Sequence, residues 1–220
     1  MLGDLEREGE LAPLFEMKSW EEESILKARF HGKAPDVLFH LTSEGRLYLS
    51  DLRQSLNLRS NWTEFFYKPS KTHFFTEYIV NPSDAHFMQD GNSLVVRDYL
   101  QLKVWDMRYN ARPMFASSVS KAMARGIGKL YENNHIFDKF DLAVSPDSQR
   151  AVTGSYNGQF HLMGLDKEKE NFEMILEASP SDQPAPETYY ESPVLKVDWN
   201  PMADGFAVAR GAAVYVARYK

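Results

Sequence analysis

The chain has 220 residues, of which 43% are hydrophobic and 25% are charged, and these proportions are typical of a folded globular protein with a substantial core. Its formal net charge of −6 argues against a surface that follows nucleic-acid phosphates as its main function. The chain contains no cysteine, which excludes disulfides, thiolate-bound zinc, iron–sulfur clusters and a cysteine nucleophile.

The N-terminal residues carry no targeting signal of a recognisable kind. The first fifteen residues are acidic and lack the basic region and apolar run of a signal peptide. No stretch approaches the roughly 18 uninterrupted apolar residues of a membrane span. We therefore expect a cytoplasmic protein without membrane contact, and leave nuclear location open.

Short strand-like runs dominate the sequence and fall into four clusters. Each cluster holds three or four runs. In chain order they are 25–30, 37–42 and 46–51; then 74–80, 83–87, 93–97 and 101–106; then 140–145, 150–155, 159–165 and 172–178; and finally 194–199, 206–210 and 213–219.

Each cluster also has the same two turns. The first turn is rich in Gly, Pro, Asn and Asp, residues that supply a positive φ or a fixed φ. The second is tighter, and Asn157-Gly158 is its strongest hairpin signal. Repetition every 40 to 60 residues or so, with about four short strands per unit, is typical of a β-propeller.

One segment interrupts the strand pattern. Val119, Met123, Ile127 and Leu130 recur at helical spacing, which predicts a short helix or irregular excursion between the second and third units. The run Gly126-x-Gly128-Lys129 is too short for a phosphate-binding loop, which needs a longer Gly-rich turn after a strand. The acidic stretch 180–193 is interpreted as a loop between units.

The repeats resemble WD repeats. The run 102–106, Leu-Lys-Val-Trp-Asp, resembles the closing strand of such a repeat, and Ser50-Asp51 and Met163-Gly164 take the corresponding places in neighbouring clusters. The run 153–158 is similar to the Gly-Ser-x-Asp-x turn of these repeats. We therefore predict an all-β fold, a partial WD-repeat β-propeller.

Three stretches carry a more specific resemblance. They are VVRDYLQLKVWDMRYNARP (95–113), KLYENNHIFDKFD (129–141) and VTGSYNGQFHLM (152–163). Together they resemble the WD-repeat regulatory B subunit of protein phosphatase 2A, and the similarity runs colinearly from about residue 14. The resemblance implies a seven-bladed ring in a chain about twice as long, of which this sequence matches the C-terminal half.

The implied organisation is a single partial propeller domain over residues 1–220, with about three complete blades and part of a fourth. Its predicted units are 14–60, 73–115, 136–178 and 190–220, with the helical or irregular excursion at 117–135. An open half-ring would expose strand edges and apolar faces. We therefore expect a truncated chain, self-association, or completion by another chain. By the resemblance, the half that grips the scaffold subunit is absent, and the usual longer, basic insertion near 180–193 is short and acidic.

No motif points to catalysis, a cofactor or a metal. The six histidines lack the His-Glu-x-x-His spacing of a helical zinc site, and no Gly-x-Ser-x-Gly elbow is present. Asp138 and Asp141 are interpreted as turn or strand-end residues. The aromatic-rich runs, including His73–Tyr78, are interpreted as blade packing and not as a platform for nucleic-acid bases, which would need interleaved Lys and Arg.

The turn after Arg97 is the candidate binding site. Asp98 has a structural interpretation as an acceptor of turn amides. The resemblance implies a second one: Asp98, Tyr99 and Lys103 would lie on the propeller rim that faces the catalytic subunit and recruits phosphoprotein substrates. An acidic group with a tyrosine suits basic peptide segments.

The resemblance thus implies a non-catalytic regulatory subunit that directs the substrate specificity of protein phosphatase 2A. Its implied partners are the catalytic subunit, the scaffold subunit and phosphoprotein substrates. Two alternatives stay open, a WD-repeat interaction scaffold unconnected to the phosphatase and a propeller enzyme.

Overall fold

A computed structural model describes residues 24–54, 61–66, 74–165, 173–177, 192–202 and 205–218. Within these ranges the strands form four antiparallel sheets, and every strand pairs with its neighbour in sequence. The first sheet comprises β1 Ile25–Phe30, β2 Val37–Thr42, β3 Leu47–Asp51 and β4 Trp62–Phe65. The second comprises β5 Asp84–Phe87, β6 Ser93–Arg97, β7 Gln101–Asp106 and β8 Phe115–Ser118.

The remaining two sheets repeat this arrangement. The third comprises β9 Leu142–Val144, β10 Arg150–Gly154, β11 Gln159–Gly164 and β12 Glu173–Glu177. The fourth has three strands, β13 Lys196–Trp199, β14 Gly205–Arg210 and β15 Ala213–Arg218. Four successive antiparallel meanders with few helices confirm the predicted all-β fold and match a partial WD-repeat propeller.

Consecutive sheets stack face to face through apolar side chains. Alternation along β6 sends Leu94 and Val96 towards the first sheet and Val95 towards the third. Trp105 packs edge-on against Phe65 of the first sheet, with ring centroids 5.6 Å apart. The third and fourth sheets share a further cluster. Because both faces of the inner sheets are buried, their strands are apolar runs without a clear polar face.

Polar contacts reinforce the stacking along the first strands of the sheets. Lys27 on β1 places its Nζ 2.9 Å from Asp84 Oδ2 and 2.7 Å from Asp141 Oδ1. Asp141, next to β9, also lies 3.1 Å from the Nζ of Lys196 on β13. These ion pairs link all four sheets, and Asp141 is a strand-end residue, as interpreted from the sequence.

Tight turns join the strands, and one of them matches its prediction closely. Asn157 and Gly158 both have positive φ, 59° and 70°. These are the φ signs of a type I′ turn, which is closed by the hydrogen bond from the Gln159 N–H to the Tyr156 carbonyl oxygen at 3.0 Å, and Asn-Gly adopts it with little strain.

The structure differs from the predicted strands at three places. The run 74–80, predicted as a strand, forms a turn and the helix α1 Thr76–Ile79. Phe75, Tyr78 and Ile79 recur at i, i+3 and i+4, and this helical face packs on a cluster that contains Tyr99. The other two places are β4 and β8, strands that the sequence pattern does not predict.

The segment between the second and third sheets is helical in part, as its spacing indicates. It contains α2 Lys121–Arg125, α3 Ile127–Glu132 and a 3₁₀ turn at His135–Phe137. Among the described helices, none has both the length and the apolar character that crossing a membrane would require.

The helices and two hairpin turns lie at one end of the sheets. Asp84 at the start of β5 pairs with Arg97 at the end of β6, so the segment that precedes β5 lies beside the turn that follows β6. In the third sheet, Leu142 at the start of β9 pairs with Thr153 near the end of β10, so the segment before β9 likewise lies beside the turn after β10. We call this the helical end, defined by α1, α2, α3, the 3₁₀ turn and residues 98–100 and 155–158.

The contact between the third and fourth sheets predicts the effect of one substitution. A Cβ added at Gly154 would lie 1.6 Å from the carbonyl oxygen of Val194, a backbone atom with little freedom to move. We expect Gly154→Ala to lower the free energy of unfolding by about 3 kcal/mol, at the upper end of the overpacking range. Urea unfolding followed by circular dichroism would measure it.

Gly128→Ala is the matched control, because no atom lies within 4 Å of its added Cβ. Gly128 lies in α3, where alanine should raise stability by about 0.5–1 kcal/mol. Equal effects of the two substitutions would contradict the described contact between the sheets.

Candidate functional site

Asp98 organises the turn between β6 and β7. Its Oδ1 accepts hydrogen bonds from the backbone N–H groups of Leu100 and Gln101, at 2.9 and 2.6 Å. Its Oδ2 lies 2.5 Å from Lys103 Nζ. These contacts match the structural interpretation of Asp98 as an acceptor of turn amides.

The structure brings the three predicted residues together, and it buries them. The exposed fractions of Asp98, Tyr99 and Lys103 are 3%, 3% and 4%. A buried acid and base of this kind stabilise the fold only while both are present, because either one alone would be an uncompensated buried charge. Direct contact of these residues with a partner stays a prediction.

Arg97 connects the second and third sheets, a role that the sequence did not reveal. Its side chain is fully buried, and its Nε donates a hydrogen bond to Thr153 Oγ1 at 3.1 Å. Another guanidinium nitrogen contacts the carbonyl oxygen of Asp98, and the group lies 5.5 Å from the ring centre of Phe140. Burial lowers the pKa of Arg97 to about 10, so it stays charged at neutral pH.

A second polar network joins the two hairpin turns to the 3₁₀ turn. The hydroxyls of Tyr99 and Tyr156 are 3.0 Å apart. Both lie within hydrogen-bond distance of the His135 carbonyl oxygen, at 3.2 and 2.6 Å. The Tyr156 hydroxyl also lies 2.8 Å from Asp138 Oδ2, so its one proton is shared between two acceptors. Asp138 caps the 3₁₀ turn, in agreement with its interpretation as a turn residue.

Above this network, five aromatic side chains meet at the helical end. We call them the aromatic surface, which consists of Phe74, Phe75, Tyr78, Tyr131 and Phe137. Neighbouring rings have centroids between 5.2 and 5.9 Å apart, as is typical of favourable edge-on or tilted pairs. The surface therefore draws side chains from α1, α3 and the 3₁₀ turn.

The aromatic surface is open to solvent on one side. Phe74 is 75% exposed and Phe137 is 51% exposed, whereas Phe75, Tyr78 and Tyr131 are half-buried and pack on the cluster below. The sequence interpretation of this run as blade packing is wrong for Phe74. Helical spacing at 75, 78 and 79 was the signal that could have located the surface.

Four of the described histidines, His31, His40, His86 and His161, are buried or hydrogen-bonded within the fold. Burial, the leading cause in each case, lowers the pKa of His40, His86 and His161 to about 4. The Nδ1 of His31 accepts backbone hydrogen bonds from Lys33 and Ala34. In the described part of the chain, no group of three or more His, Asp or Glu side chains is placed to hold a metal ion.

The fold defines the class of protein. Three four-stranded antiparallel meanders and a three-stranded one stack in sequence order, and Trp105-Asp106 closes the third strand of its sheet. The Asp51 and Asp106 carboxylates at the ends of β3 and β7 make equivalent bonds to Arg53 and Arg108 two residues later. This repetition identifies a segment of a WD-repeat β-propeller.

Comparison with curated proteins makes the assignment specific. The alpha isoform of the 55 kDa regulatory B subunit of serine/threonine protein phosphatase 2A from Arabidopsis thaliana is 38% identical over 146 residues, which is 65% of this chain and 28% of that relative. The phosphatase 2A regulatory subunit phr2AB of Dictyostelium discoideum is 32% identical over 71% of this chain and 32% of its own length. The regulatory B subunit of protein phosphatase PP2A from Candida tropicalis is 34% identical over 63% of this chain and 28% of its own length. No protein-family model matches the chain.

Over about two thirds of its own length, the chain is therefore similar to a segment of the regulatory B subunits of protein phosphatase 2A. The match spans about a third or less of those relatives' own length. The relatives are named as regulatory subunits of a phosphatase, which supports the expectation that this chain is not itself an enzyme.

The buried pair predicts a coupling that stability measurements can detect. Lys103→Met would leave the Asp98 carboxylate buried without its cation, and we expect a loss of about 3–5 kcal/mol in unfolding free energy. The double variant with Asp98→Asn should lose less than this single variant, because asparagine can still accept a turn amide. Denaturant unfolding of both would show the difference.

Arg108→Met is the comparison variant, since Arg108 pairs with Asp106 at an exposed position. It should change stability little. If Lys103→Met were equally harmless, the buried pair would not stabilise the turn.

The neutral histidines predict a loss of stability in acid. The folded-state pKa of His161 is about 4, below its ordinary value of 6.5, so the unfolded chain binds a proton first as the pH falls. Stability is therefore complete above about pH 7 and declines towards pH 4, by at most about 1.4 kcal/mol per pH unit for each such histidine. Unfolding between pH 7 and 5 should show a smaller slope for His161→Leu; an unchanged slope would contradict the prediction.

Proposed function

We propose that the chain is a non-catalytic regulatory component of protein phosphatase 2A, which directs the phosphatase to phosphoprotein substrates through the helical end of its partial propeller. The homology to named regulatory subunits supports the phosphatase connection. The chemistry would belong to the catalytic subunit, and this chain would supply a docking surface.

The aromatic surface is the observation that carries the docking role. An exposed phenylalanine is unfavourable in water, and clustered exposed aromatic side chains commonly mark protein-binding sites. Phe74 and Phe137 expose most of the apolar area here, while the rings between them are supported from below. Such a supported surface loses little entropy when a partner binds.

The charge of the whole chain indicates the kind of partner. The exposed charges at and beside the helical end are mixed, since Glu77 and Glu132 are acidic while Arg125, Lys129 and Lys139 are basic, but the chain carries a formal net charge of −6. From that overall charge we infer that a basic phosphoprotein segment with apolar side chains is favoured, because complementary charge speeds association and excludes acidic competitors.

The predicted site residues support this surface from beneath. Asp98 and Lys103 hold the turn that carries Tyr99, and Tyr99 reaches the 3₁₀ turn that carries Phe137. In this proposal, Asp98, Tyr99 and Lys103 affect substrate recruitment by shaping the rim.

A WD-repeat scaffold unconnected to the phosphatase is the alternative. The chain corresponds to only a part of the relatives, and the fourth sheet ends in the strand β15, whose Val214 and Val216 are 70% and 73% exposed. A further chain that covers this face could determine what the protein assembles with. Whether the chain assembles with the phosphatase subunits therefore distinguishes the regulatory role from that of an unconnected scaffold.

The experiment is reconstitution from purified parts. The chain is mixed with the catalytic and scaffold subunits of protein phosphatase 2A, and co-elution is followed by size-exclusion chromatography. We expect a complex with higher activity on phosphorylated histone, a basic phosphoprotein, than on an acidic phosphoprotein. Absence of any complex would reject the phosphatase role and favour the alternative.

Substitution of the aromatic surface tests the docking role. Phe74→Asp with Phe137→Asp should raise KM for phosphorylated histone by about tenfold or more, since loss of central aromatic contacts costs about 2 kcal/mol or more. Assembly with the phosphatase subunits should persist. Met202→Asp is the matched control, because Met202 lies between β13 and β14 and is 90% exposed. It should change neither KM nor assembly. An unchanged KM in the double variant would exclude docking at this surface.

A further inference from the structure

The hydroxyls of Tyr99 and Tyr156 converge on one backbone atom. Tyr99 belongs to the turn after β6 and Tyr156 to the turn after β10, so they approach from different sheets. Their oxygens lie 3.2 and 2.6 Å from the carbonyl oxygen of His135. Both side chains are nearly fully buried, at 3% and 2% exposure.

Burial of two hydroxyls needs a reason, because phenylalanine would fill the same apolar space without a polar atom to satisfy. The four contacts among Tyr99, Tyr156, the His135 carbonyl and the Asp138 carboxylate share two phenolic protons. Burial raises the pKa of the Tyr156 hydroxyl, so it remains a donor at physiological pH. The His135 carbonyl oxygen also accepts the backbone N–H of Asp138 at 2.9 Å, so removal of either hydroxyl takes away one of its phenolic contacts and leaves the backbone bond in place.

The atom that they hold belongs to a very short element. The 3₁₀ turn has three residues, and Ile136 in its middle is anchored in the core at 3% exposure. Phe137 follows and projects into the aromatic surface, where its ring centre is 5.5 Å from that of Tyr78. A shift of the His135 carbonyl would consequently turn Phe137 relative to the other rings.

We propose that Tyr99 and Tyr156 are positioning residues for partner docking, which hold the His135 carbonyl and thereby set the orientation of Phe137 in the aromatic surface. This inference rests on the proposed docking function. Because a positioning residue acts through another residue and need not touch the partner, this role is compatible with the burial of Tyr99.

The test uses Tyr99→Phe and Tyr156→Phe in the reconstituted phosphatase complex, with phosphorylated histone as the probe. Each variant should raise KM about fivefold with kcat unchanged, since loss of one buried hydrogen bond corresponds to roughly that factor in an equilibrium constant. Amide hydrogen exchange should accelerate at residues 134–138 and stay unchanged in the strands of the second sheet. Tyr109→Phe, at a position that is 53% exposed, is the matched control and should leave KM and exchange unaltered.

A double-mutant cycle distinguishes positioning from general destabilisation. If Tyr156 acts through Phe137, Tyr156→Phe should not raise KM further in a Phe137→Ala background. Additive effects of the two substitutions would overturn the inference, and so would tyrosine variants that leave KM unchanged while Phe137→Ala raises it. If Phe137→Ala itself leaves KM unchanged, the docking function fails and the inference fails with it.

Discussion

Burial of both faces of the inner sheets is the constraint on which the rest of the structure depends. The second sheet presents Leu94 and Val96 to the first sheet and Val95 to the third, so it cannot be stable in water by itself. Sheets of this kind must stack, and stacking in sequence order generates the propeller. Stacking also aligns the turns of successive sheets at common ends, which is how a surface can draw residues from several of them.

Hydrogen bonds then fix the positions of neighbouring sheets relative to each other at the helical end. Apolar packing alone would tolerate some sliding of one sheet over another, whereas hydrogen bonds have defined geometry. Arg97 reaches from the second sheet to Thr153 of the third, and Tyr99 meets Tyr156 across the same boundary. The aromatic surface lies next to these contacts between the second and third sheets, so its shape depends on them. A surface built in this way is sensitive to changes at buried residues that do not belong to it.

Most of the strands were predictable from the sequence because local pattern and environment agree. The runs that became β6, β7, β10 and β11 are apolar, rich in β-branched or aromatic residues, and bounded by turn residues. The strand β8 was not predictable, because Phe-Ala-Ser-Ser has weak strand character and pairs only where β7 offers an edge. The run 74–80 fits both a strand and a helix, and only its packing against the Tyr99 cluster decides for the helix.

The sequence by itself determined the class of fold, its repeat, and the similarity to phosphatase regulatory subunits, since these depend on residue order and on local patterns of polarity. It also located the turn at Asp98, whose hydrogen bonds are made within three residues. Only the tertiary structure decided that Asp98, Tyr99 and Lys103 are buried and that Phe74 and Phe137 are exposed. Exposure depends on which distant segments cover a side chain, and residues from two sheets and three short helices cover this end of the molecule.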